Sequence, residues 1–265
     1  MVIATRPAAP GDPPLFAAQG YRLIIRPRLI LIEGETAAGR YYGVQTLRQL
    51  IRAAQGPRLP ALEIRDWPAL EWRGVSDDVS RGQVSTADDF CAMIRQLAYH
   101  KKNLYQPYIE DMFEFDCDPA IGRDRGAITK AEMALMVAEA RRNHVTLTPV
   151  FETLGHQDRL LSLPHNRQYA EVQDPAKRPW SFAPARPEAV AFVTQLVDEL
   201  AAATPGPFFH IGGDESFDIG NGLSADLVKQ LGVSRVHVDY FTTMIRHLEA
   251  RHGRRTMLYA DMLIS

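Results

Sequence analysis

The sequence predicts an α/β protein in which a small α+β domain precedes a larger domain built on a parallel β-sheet. The first observation is the pattern after Trp72, where short apolar runs alternate with segments of helical periodicity. Strands that alternate with helices form parallel sheets. The second observation is the order strand, strand, helix, strand before that point. The two parts meet at Asp66-Trp67-Pro68, since proline disfavours helical backbone at the residue before it.

Composition and charge argue against several classes of function. The 265 residues include 30 Lys+Arg and 32 Asp+Glu, and the net charge of −2 gives no attraction to nucleic acid or to an anionic membrane. No apolar run reaches the roughly 18 residues of a membrane span. The two cysteines, Cys91 and Cys117, lack metal-ligand spacing, and we expect reduced thiols. The N-terminus has no apolar signal-peptide core, so we expect a cytoplasmic protein.

The chain divides into three predicted segments. Residues 1–15, rich in Ala and Pro, predict a disordered lead-in. Residues 16–68 predict the small α+β domain, and residues 69–265 predict the larger domain. The elements expected in the small domain are strands at 21–25 and 29–33, a helix from Gly39 and a strand at 62–65.

The larger domain predicts five strand–helix units. Ser85 or Thr86 caps one helix, and Thr129 with Glu132 forms the capping box of the next. Gly253 ends the last helix. Five units are compatible with an open doubly wound sheet or with part of an eight-stranded barrel. The predicted strands are residues 75–79, 104–109, 145–151, 208–211 and 256–259.

Charged and polar side chains follow the predicted strands. In both kinds of parallel sheet, catalytic groups gather at the carboxyl ends of the strands. Because one edge collects residues from every strand, we expect these side chains to form one site. The residues concerned are Arg81, Glu110, Asp111, Glu152, His156, Asp214, Glu215 and Asp261.

Asp214 and Glu215 are adjacent carboxylates that follow an apolar strand. Side chains alternate along a regular strand. Gly212 and Gly213 permit a sharp bend at little steric cost, so the next two side chains can face one pocket. Adjacent carboxylates in a partly dry cleft repel, which tends to raise one pKa and leave the other group ionised. One protonated acid beside one carboxylate suits acid–base chemistry on a glycosidic or acyl bond, whereas the alternative is a solvated acidic loop.

Three further segments carry a family resemblance. Residues 72–81 run Trp-Arg-Gly-Val-Ser-Asp-Asp-Val-Ser-Arg, residues 210–215 run His-Ile-Gly-Gly-Asp-Glu, and residues 41–50 run Tyr-Tyr-Gly-Val-Gln-Thr-Leu-Arg-Gln-Leu. These segments are similar to parts of the glycoside hydrolase family 20 β-N-acetylhexosaminidases. Residues 72–81 resemble the first barrel strand with its substrate-binding arginine, and residues 210–215 resemble the signature Asp–Glu segment. Residues 41–50 resemble the small-domain helix. Residues 108–113 and 153–156 most resemble the hexosaminidase D group.

The resemblance implies a (β/α)8 TIM-barrel type of fold after the small α+β domain. Only about five β/α units of such a barrel are present, so we interpret the chain as truncated at the C-terminus. Residues 105–111 also depart from the family pattern, because they replace the His-x-His and paired Asp of many members. The later strands of the family bring the aromatic walls of the site, of which Tyr259 remains.

The resemblance also implies a substrate-assisted, retaining mechanism. Glu215 would protonate the leaving oxygen and then activate water, and Asp214 would orient the substrate's 2-acetamido group. The oxygen of that group attacks the anomeric carbon and gives an oxazolinium intermediate. Arg81 would bind adjacent sugar hydroxyls, with a structural salt bridge to Asp77 or Asp78 as the alternative. The other implied substrate-binding residues, for which loop, packing or capping roles are the alternatives, are His156, Glu110, Asp111, Tyr259 and Asp261.

The resemblance thus implies exo-acting hydrolysis of terminal β-linked N-acetylhexosamine, with a small glycan or glycoside as partner and with neither metal nor cofactor. One alternative is a non-catalytic, amino-sugar-binding fragment, because an incomplete barrel exposes strand edges. Another is a metal-dependent hydrolase, although no His-x-His or His-x-x-x-His spacing supports it; its ligands would be His156, His210, Asp214 and Glu215. The sequence does not choose between N-acetylglucosamine and N-acetylgalactosamine, nor does it determine the oligomeric state.

Overall fold

The computed structural model describes residues 1–264, and Ser265, the last residue of the predicted larger domain, lies outside this range. The described chain forms two compact units. The first comprises Met1–Gly74, Ala92–Leu104 and Glu139–Val145, and the second comprises Val75–Cys91, Tyr105–Ala138 and the residues from Thr146 onward. Across residues 1–264, no helix is both long and apolar enough to cross a bilayer.

A four-stranded sheet and one long helix form most of the first unit. Its first elements are strand β1 (Val2–Thr5), helix α1 (Pro14–Gln19), strands β2 (Tyr21–Arg26) and β3 (Leu29–Gly34), helix α2 (Ala37–Ala53) and strand β4 (Leu62–Asp66). The strand order is β1-β3-β2-β4, with β2 antiparallel to both neighbours and β1 parallel to β3. Helix α2 packs on this sheet, and the buried core consists of Tyr21, Leu23, Ile25, Ile32, Tyr42 and Leu47.

The N-terminal residues do not form the predicted disordered lead-in. Val2–Thr5 pairs with β3 along its whole length, and α1 begins at Pro14. The prediction of disorder for residues 1–15 is wrong because it rests on overall Ala and Pro content. The β-branched residues at positions 2, 3 and 5 favour a strand once a sheet edge offers partners. Proline also suits the first turn of α1, where its missing N–H has no intrahelical partner.

Helix α2 approaches the sheet closely because Gly43 lacks a side chain. A Cβ at this position would lie 2.6 Å from Ile32 Cγ2. The helix begins at Ala37, slightly before the predicted start at Gly39. Thr36 is the N-cap, and its hydroxyl accepts the N–H of Gly39 at 3.0 Å.

In each remaining strand–helix unit one or two α-helices follow a strand, and most residues of these elements lie in the second unit. They are β5 (Gly74–Asp78), α3 (Ala87–Tyr99), β6 (Leu104–Tyr108), α4 (Lys130–Arg142), β7 (Thr146–Leu147), α5 (Asp158–Leu161), α6 (Pro187–Ala203), β8 (Phe208–His210), α7 (Ala225–Leu231), α8 (Val233–His252), β9 (Arg255–Met257) and α9 (Asp261–Ile264). Strands β5, β6 and β7 form one sheet in that order, and β8 pairs with β9 in parallel. Val150 forms parallel bridges to both Tyr108 and His210. Neighbouring strands therefore follow chain order, which confirms the predicted α/β class.

Two helix signals have the expected local geometry. Thr129 Oγ1 accepts the N–H of Glu132 at 3.1 Å, and the Glu132 carboxylate accepts the N–H of Thr129 at 2.9 Å. Helix α8 ends at Gly253, which has a left-handed φ of 62°. The predicted strand at 145–151 is shorter than expected, because regular pairing in the described chain covers Thr146–Leu147. Helices α1, α5, α7 and α9 have no counterpart among the predicted elements.

His210 in β8 is a buried, neutral imidazole. Its ring packs against Tyr259 with centroids 4.5 Å apart, and Nδ1 accepts the N–H of Gly212 at 3.1 Å. Burial, partly opposed by the charge of Asp214, lowers the pKa of His210 from 6.5 to about 4. The unfolded chain takes up a proton at this residue below about pH 6.5, whereas the folded chain does not until the pH is much lower.

We predict that the free energy of unfolding falls as the pH drops from about 6.5 to about 4, with His210 contributing on the order of 3 kcal/mol. Its folded-state pKa is depressed, so this stability is present above the unfolded-state pKa and is lost as the pH falls towards the folded-state value. His210→Asn keeps an acceptor for Gly212 but does not titrate, so it should flatten this part of the profile. Urea denaturation across that pH range measures the effect, and equal slopes for both proteins would contradict it.

Candidate active site at the strand ends

Three predicted site residues have a backbone conformation that side chains normally avoid. Glu110, His156 and Glu215 follow β6, β7 and β8 along the chain and have φ values of 39°, 56° and 49°. Left-handed backbone of this kind costs a non-glycine residue on the order of 1–3 kcal/mol, and it concentrates at functional sites. All three residues lie in the second unit. Three of the strand ends where the sequence predicts a site therefore carry a strained residue.

Asp214 and Glu215 lie close to one imidazole ring. The turn before them uses Gly212 and Gly213 with φ values of 65° and 111°. His156 Nε2 lies 3.3 Å from Asp214 Oδ2 and 3.5 Å from Glu215 Oε2. The Asp214 side chain is 27% exposed and that of Glu215 is 55% exposed, so the first carboxylate is the more enclosed. The bend thus brings both acids to the same side of the chain.

A third carboxyl group, that of Glu152, is fully buried beside this pair. Its Oε2 accepts the N–H of Gly213 at 2.9 Å, and a Cβ on Gly212 would lie 2.0 Å from the same oxygen. Burial and the negative charge of Asp214 raise the pKa of Glu152 well above its usual range. Glu152 Oε1 and Asp214 Oδ1 are both buried and have no hydrogen-bond partner among the described residues. The raised pKa favours a neutral Glu152, and a proton there would allow it to donate to Asp214.

The sequence analysis places Glu152 at a strand end but assigns it no catalytic or substrate-binding role. The available signal is the Gly-Gly pair, since glycine at a strand end indicates a close approach of another group to the backbone. The approaching group is 61 residues away in the sequence, so spacing alone does not identify it.

His156 and Asp214 favour each other's charged form. Burial alone would lower the pKa of His156, but the Asp214 contact and the negative charges of Asp214 and Glu110 outweigh it and raise the pKa. Burial alone would raise the pKa of Asp214, but the contact with His156 and its charge outweigh it and lower the pKa. The site therefore favours an ionised Asp214, with an imidazole on one side and, on another, a carboxyl group whose pKa is raised.

Arg81 joins the end of β5 to the same cluster. Its Nη2 lies 2.9 Å from Glu110 Oε1 and 3.2 Å from His156 Nδ1. Its Nη1 donates to Asp78 Oδ2 at 2.6 Å, so the salt bridge considered as an alternative exists alongside the site contacts. The other candidate partner, Asp77, instead accepts the hydroxyl of Tyr105 at 2.7 Å.

Glu110 and Asp111 are both buried, so the alternative of a solvated acidic loop is wrong for them. The Tyr108 hydroxyl donates to Glu110 at 3.1 Å, and Glu110 lies 3.7 Å from His156 Nδ1. Burial, opposed by the charge of the neighbouring arginine, raises the pKa of Glu110. Asp111 forms an ion pair with Arg125 and has no recorded contact with the Asp–Glu pair among the described residues.

The backbone of Glu215 is held on both sides. Its N–H donates to Asp261 Oδ2 at 3.1 Å, and its carbonyl accepts the indole N–H of Trp180 at 2.7 Å. The indole ring also lies against His156, with centroids 4.4 Å apart. Asp261 therefore contacts the site through the backbone N–H of Glu215. Tyr259 donates its own backbone N–H to the carbonyl oxygen of Gly212 at 2.9 Å.

The four ligands that the metal alternative needs are not arranged as a metal site. One ring nitrogen of His210 is already bonded to Gly212. In residues 1–264, the one group of three or more His, Cys, Asp or Glu residues whose ligand atoms lie within 4.8 Å of one another is elsewhere, at Asp198, His247 and His252.

We predict that Asp214→Asn lowers the pKa of His156, since the amide removes a negative charge that favours the imidazolium. NMR titration of the His156 ring between about pH 5 and pH 9 measures the shift. Asp218→Asn is a matched control on the same loop, because its carboxylate faces the N–H of Ser181 and should leave the titration unchanged. An unaltered His156 pKa in Asp214→Asn would contradict the assigned coupling.

Comparison with known proteins places these residues in a family context. The profile "Glycosyl hydrolase family 20, domain 2" matches residues 6–67, and "Glycosyl hydrolase family 20, catalytic domain" matches residues 70–265. The β-N-acetylhexosaminidase of Cellulomonas fimi is 28% identical over 235 residues, which are 79% of this chain and 46% of that protein. Hexosaminidase D of Bos taurus is 26% identical over 159 residues, which are 58% of this chain and 45% of that protein. The chain spans less than half the length of these relatives.

Solved structures give the same grouping. The family 20 β-N-acetylhexosaminidase of Streptomyces coelicolor A3(2) has a TM-score of 0.77 and 26% identity, with 98% of this chain and 54% of that chain covered. A Streptomyces plicatus β-hexosaminidase variant in complex with its product GlcNAc also has a TM-score of 0.77 and 26% identity, again with 98% of this chain and 54% of that chain covered. Since the catalytic-domain profile alone matches residues 70–265, the chain belongs to glycosyl hydrolase family 20.

Proposed function

We propose that this chain carries the catalytic pair of an exo-acting β-N-acetylhexosaminidase, which releases terminal β-linked N-acetylhexosamine from small glycans or glycosides by substrate-assisted, retaining catalysis. The observation that supports this most is the Asp214–Glu215 pair beside one imidazole, with the buried Glu152 against Asp214. Relatives named β-N-acetylhexosaminidase and hexosaminidase D, and a related structure that holds GlcNAc, support the same activity and substrate class.

The proposal extends to the fold of the larger domain. Residues 69–265 would supply the five strands β5 to β9 of a (β/α)8 TIM barrel, after a small domain at 16–68. The chain-order pairing of neighbouring strands and the parallel bridges of Val150 support the barrel. The matches at residues 6–67 and 70–265 support the division of the chain. The proposed site then lies at the carboxyl ends of the strands, where such barrels carry their chemistry.

Asp214 would act on the acetamido group of the substrate. Its lowered pKa keeps it ionised, so it can stabilise the positive charge that develops on the acetamido nitrogen. The acetamido oxygen bonds to the anomeric carbon as the bond to the leaving oxygen breaks, which gives the oxazolinium. A well-held internal nucleophile can lower the barrier by roughly 7–11 kcal/mol. A proton on Glu152 would allow it to donate to Asp214 and to keep that carboxylate in one orientation.

Glu215 would transfer the proton. In the first step it would donate to the leaving glycosidic oxygen, and in the second it would remove a proton from the water that opens the oxazolinium. Its side chain is 55% exposed, so it has access to water, while Asp261 and Trp180 hold its backbone. In this proposal Asp214 keeps its negative charge throughout, whereas Glu215 gives up a proton and regains it.

Arg81 would bind the sugar itself. Its planar guanidinium can donate to two adjacent hydroxyls, and the buried carboxylate of Glu110 holds it in place. His156 would position both acids through its Nε2. Asp111, Tyr259 and Asp261 complete the proposed substrate-binding set, in which Asp261 acts through the backbone of Glu215.

We predict that Asp214→Ala slows hydrolysis of p-nitrophenyl N-acetyl-β-glucosaminide by roughly 100-fold or more, since charge stabilisation at the acetamido nitrogen is lost. The matched substrate is p-nitrophenyl β-glucoside, which lacks the acetamido group and whose slower hydrolysis should change little. Circular dichroism checks that the variant is folded. Equal turnover of the two substrates by the unaltered chain would contradict the acetamido role. Binding of GlcNAc without turnover would favour the non-catalytic alternative.

We predict that Glu215→Gln reduces kcat/KM most for substrates with poor leaving groups. N,N′-Diacetylchitobiose needs a proton on its departing oxygen, so the loss should be on the order of 100- to 10,000-fold. The p-nitrophenyl substrate departs as a stabilised phenolate and should lose much less. Because kcat/KM reports the first step, the comparison isolates acid catalysis from the later activation of water. An identical loss for both substrates would remove Glu215 as the acid.

A further inference from the structure

A second cluster of ligand-type side chains lies away from the strand ends. Asp198 lies on α6, and His247 and His252 lie near the end of α8. Their ligand atoms lie within 4.8 Å of one another, and no other group of three such residues does so within residues 1–264. The proposed hydrolysis uses none of these residues.

Both imidazoles point at the same oxygen atom. His247 Nε2 and His252 Nε2 each lie 2.6 Å from Asp198 Oδ1, with the ring centroids 6.0 Å apart. A neutral imidazole carries a single N–H, so this arrangement places that proton on Nε2 in both rings. Two nitrogens and one oxygen therefore converge on a small volume that two protons or one cation can occupy.

The surroundings keep the carboxylate in place and leave the cluster accessible. Arg251 Nε lies 3.0 Å from the second carboxylate oxygen, Asp198 Oδ2, and such outer contacts fix the orientation of a ligand. The side chains of Asp198, His247 and His252 are 24%, 23% and 15% exposed. An ion can therefore enter, and water can complete its coordination.

We propose that Asp198, His247 and His252 form a binding site for a divalent transition metal ion, for which Zn²⁺ is the natural probe. Two imidazole nitrogens and a carboxylate oxygen make a three-ligand set that zinc accepts with water in the fourth position. Imidazole also selects such metals over Mg²⁺ and Ca²⁺. The N···O separations of 2.6 Å would open by about 0.7 Å, since tetrahedral bonds of about 2.0–2.2 Å place ligand atoms roughly 3.3 Å apart.

A bound ion would connect α6 to α8 and stabilise the folded chain. A ligand that binds only the native state shifts the unfolding equilibrium in proportion to its occupancy. The site therefore has a readout in thermal stability that is independent of glycoside hydrolysis.

The experiment uses the tag-free full chain, stripped with EDTA and then dialysed. Isothermal titration calorimetry should show binding of Zn²⁺, and the Tm should rise when Zn²⁺ is added. Co²⁺ bound in place of Zn²⁺ should give visible absorption bands. His247→Gln and His252→Gln each remove one ligand atom, so each should weaken Zn²⁺ binding at least about tenfold and abolish most of the Tm rise. Circular dichroism of each metal-free variant shows that it is folded.

His156→Gln is the matched control. It removes the imidazole of the strand-end cluster, whose carboxylates also attract cations, and it should retain the binding. Arg251→Gln removes a contact to Asp198 but no ligand atom, so it should weaken Zn²⁺ binding less than either ligand variant does. Absence of Zn²⁺ binding by the unaltered chain, unchanged affinity in both ligand variants, or loss of binding in His156→Gln would each overturn the proposal.

Discussion

The geometry of the strand-end site depends on the buried carboxyl group of Glu152. It accepts the N–H of Gly213, and it occupies the space that a side chain at position 212 would need. These contacts hold the turn from which Asp214 and Glu215 project. Burial and the charge of Asp214 raise the pKa of Glu152, which favours a neutral carboxyl group there, since a second ionised carboxylate would repel Asp214. A neutral group at this position would allow an acidic turn to pack against an acidic residue.

The left-handed residues show how neighbouring side chains maintain a strained site. At Glu215, the strain is on the order of 1–3 kcal/mol, and an ordinary hydrogen bond contributes about 0.5–1.5 kcal/mol. The bonds from Trp180 and to Asp261 together are therefore of the size needed to offset it. His156 has a similar conformation and packs against the same indole ring. Trp180 thus connects two strained positions that approach one another across the site.

The sequence predicts those features whose causes are local. The Thr129 cap and the end of α8 at Gly253 depend on residues within one turn, and both have the expected geometry. The grouping of charged residues is also predictable, because topology brings the ends of parallel strands together. Three features depend on tertiary partners and could not be predicted from spacing. These are the pairing of Val2–Thr5 with β3, the ion pair of Asp111 and the raised pKa of Glu152.

Burial also explains why two adjacent acids would take different roles. Arg81 lies against Glu110, and the imidazole of His156 lies between Glu110 and Asp214, so basic and acidic side chains alternate across the cluster. Asp214 therefore has a partner that favours its ionised form and suits a constant negative charge. Glu215 is the more exposed acid, and its proton can exchange with water. A group that must release a proton and regain it in each turnover needs that exchange, whereas a group that stabilises a developing cation does not.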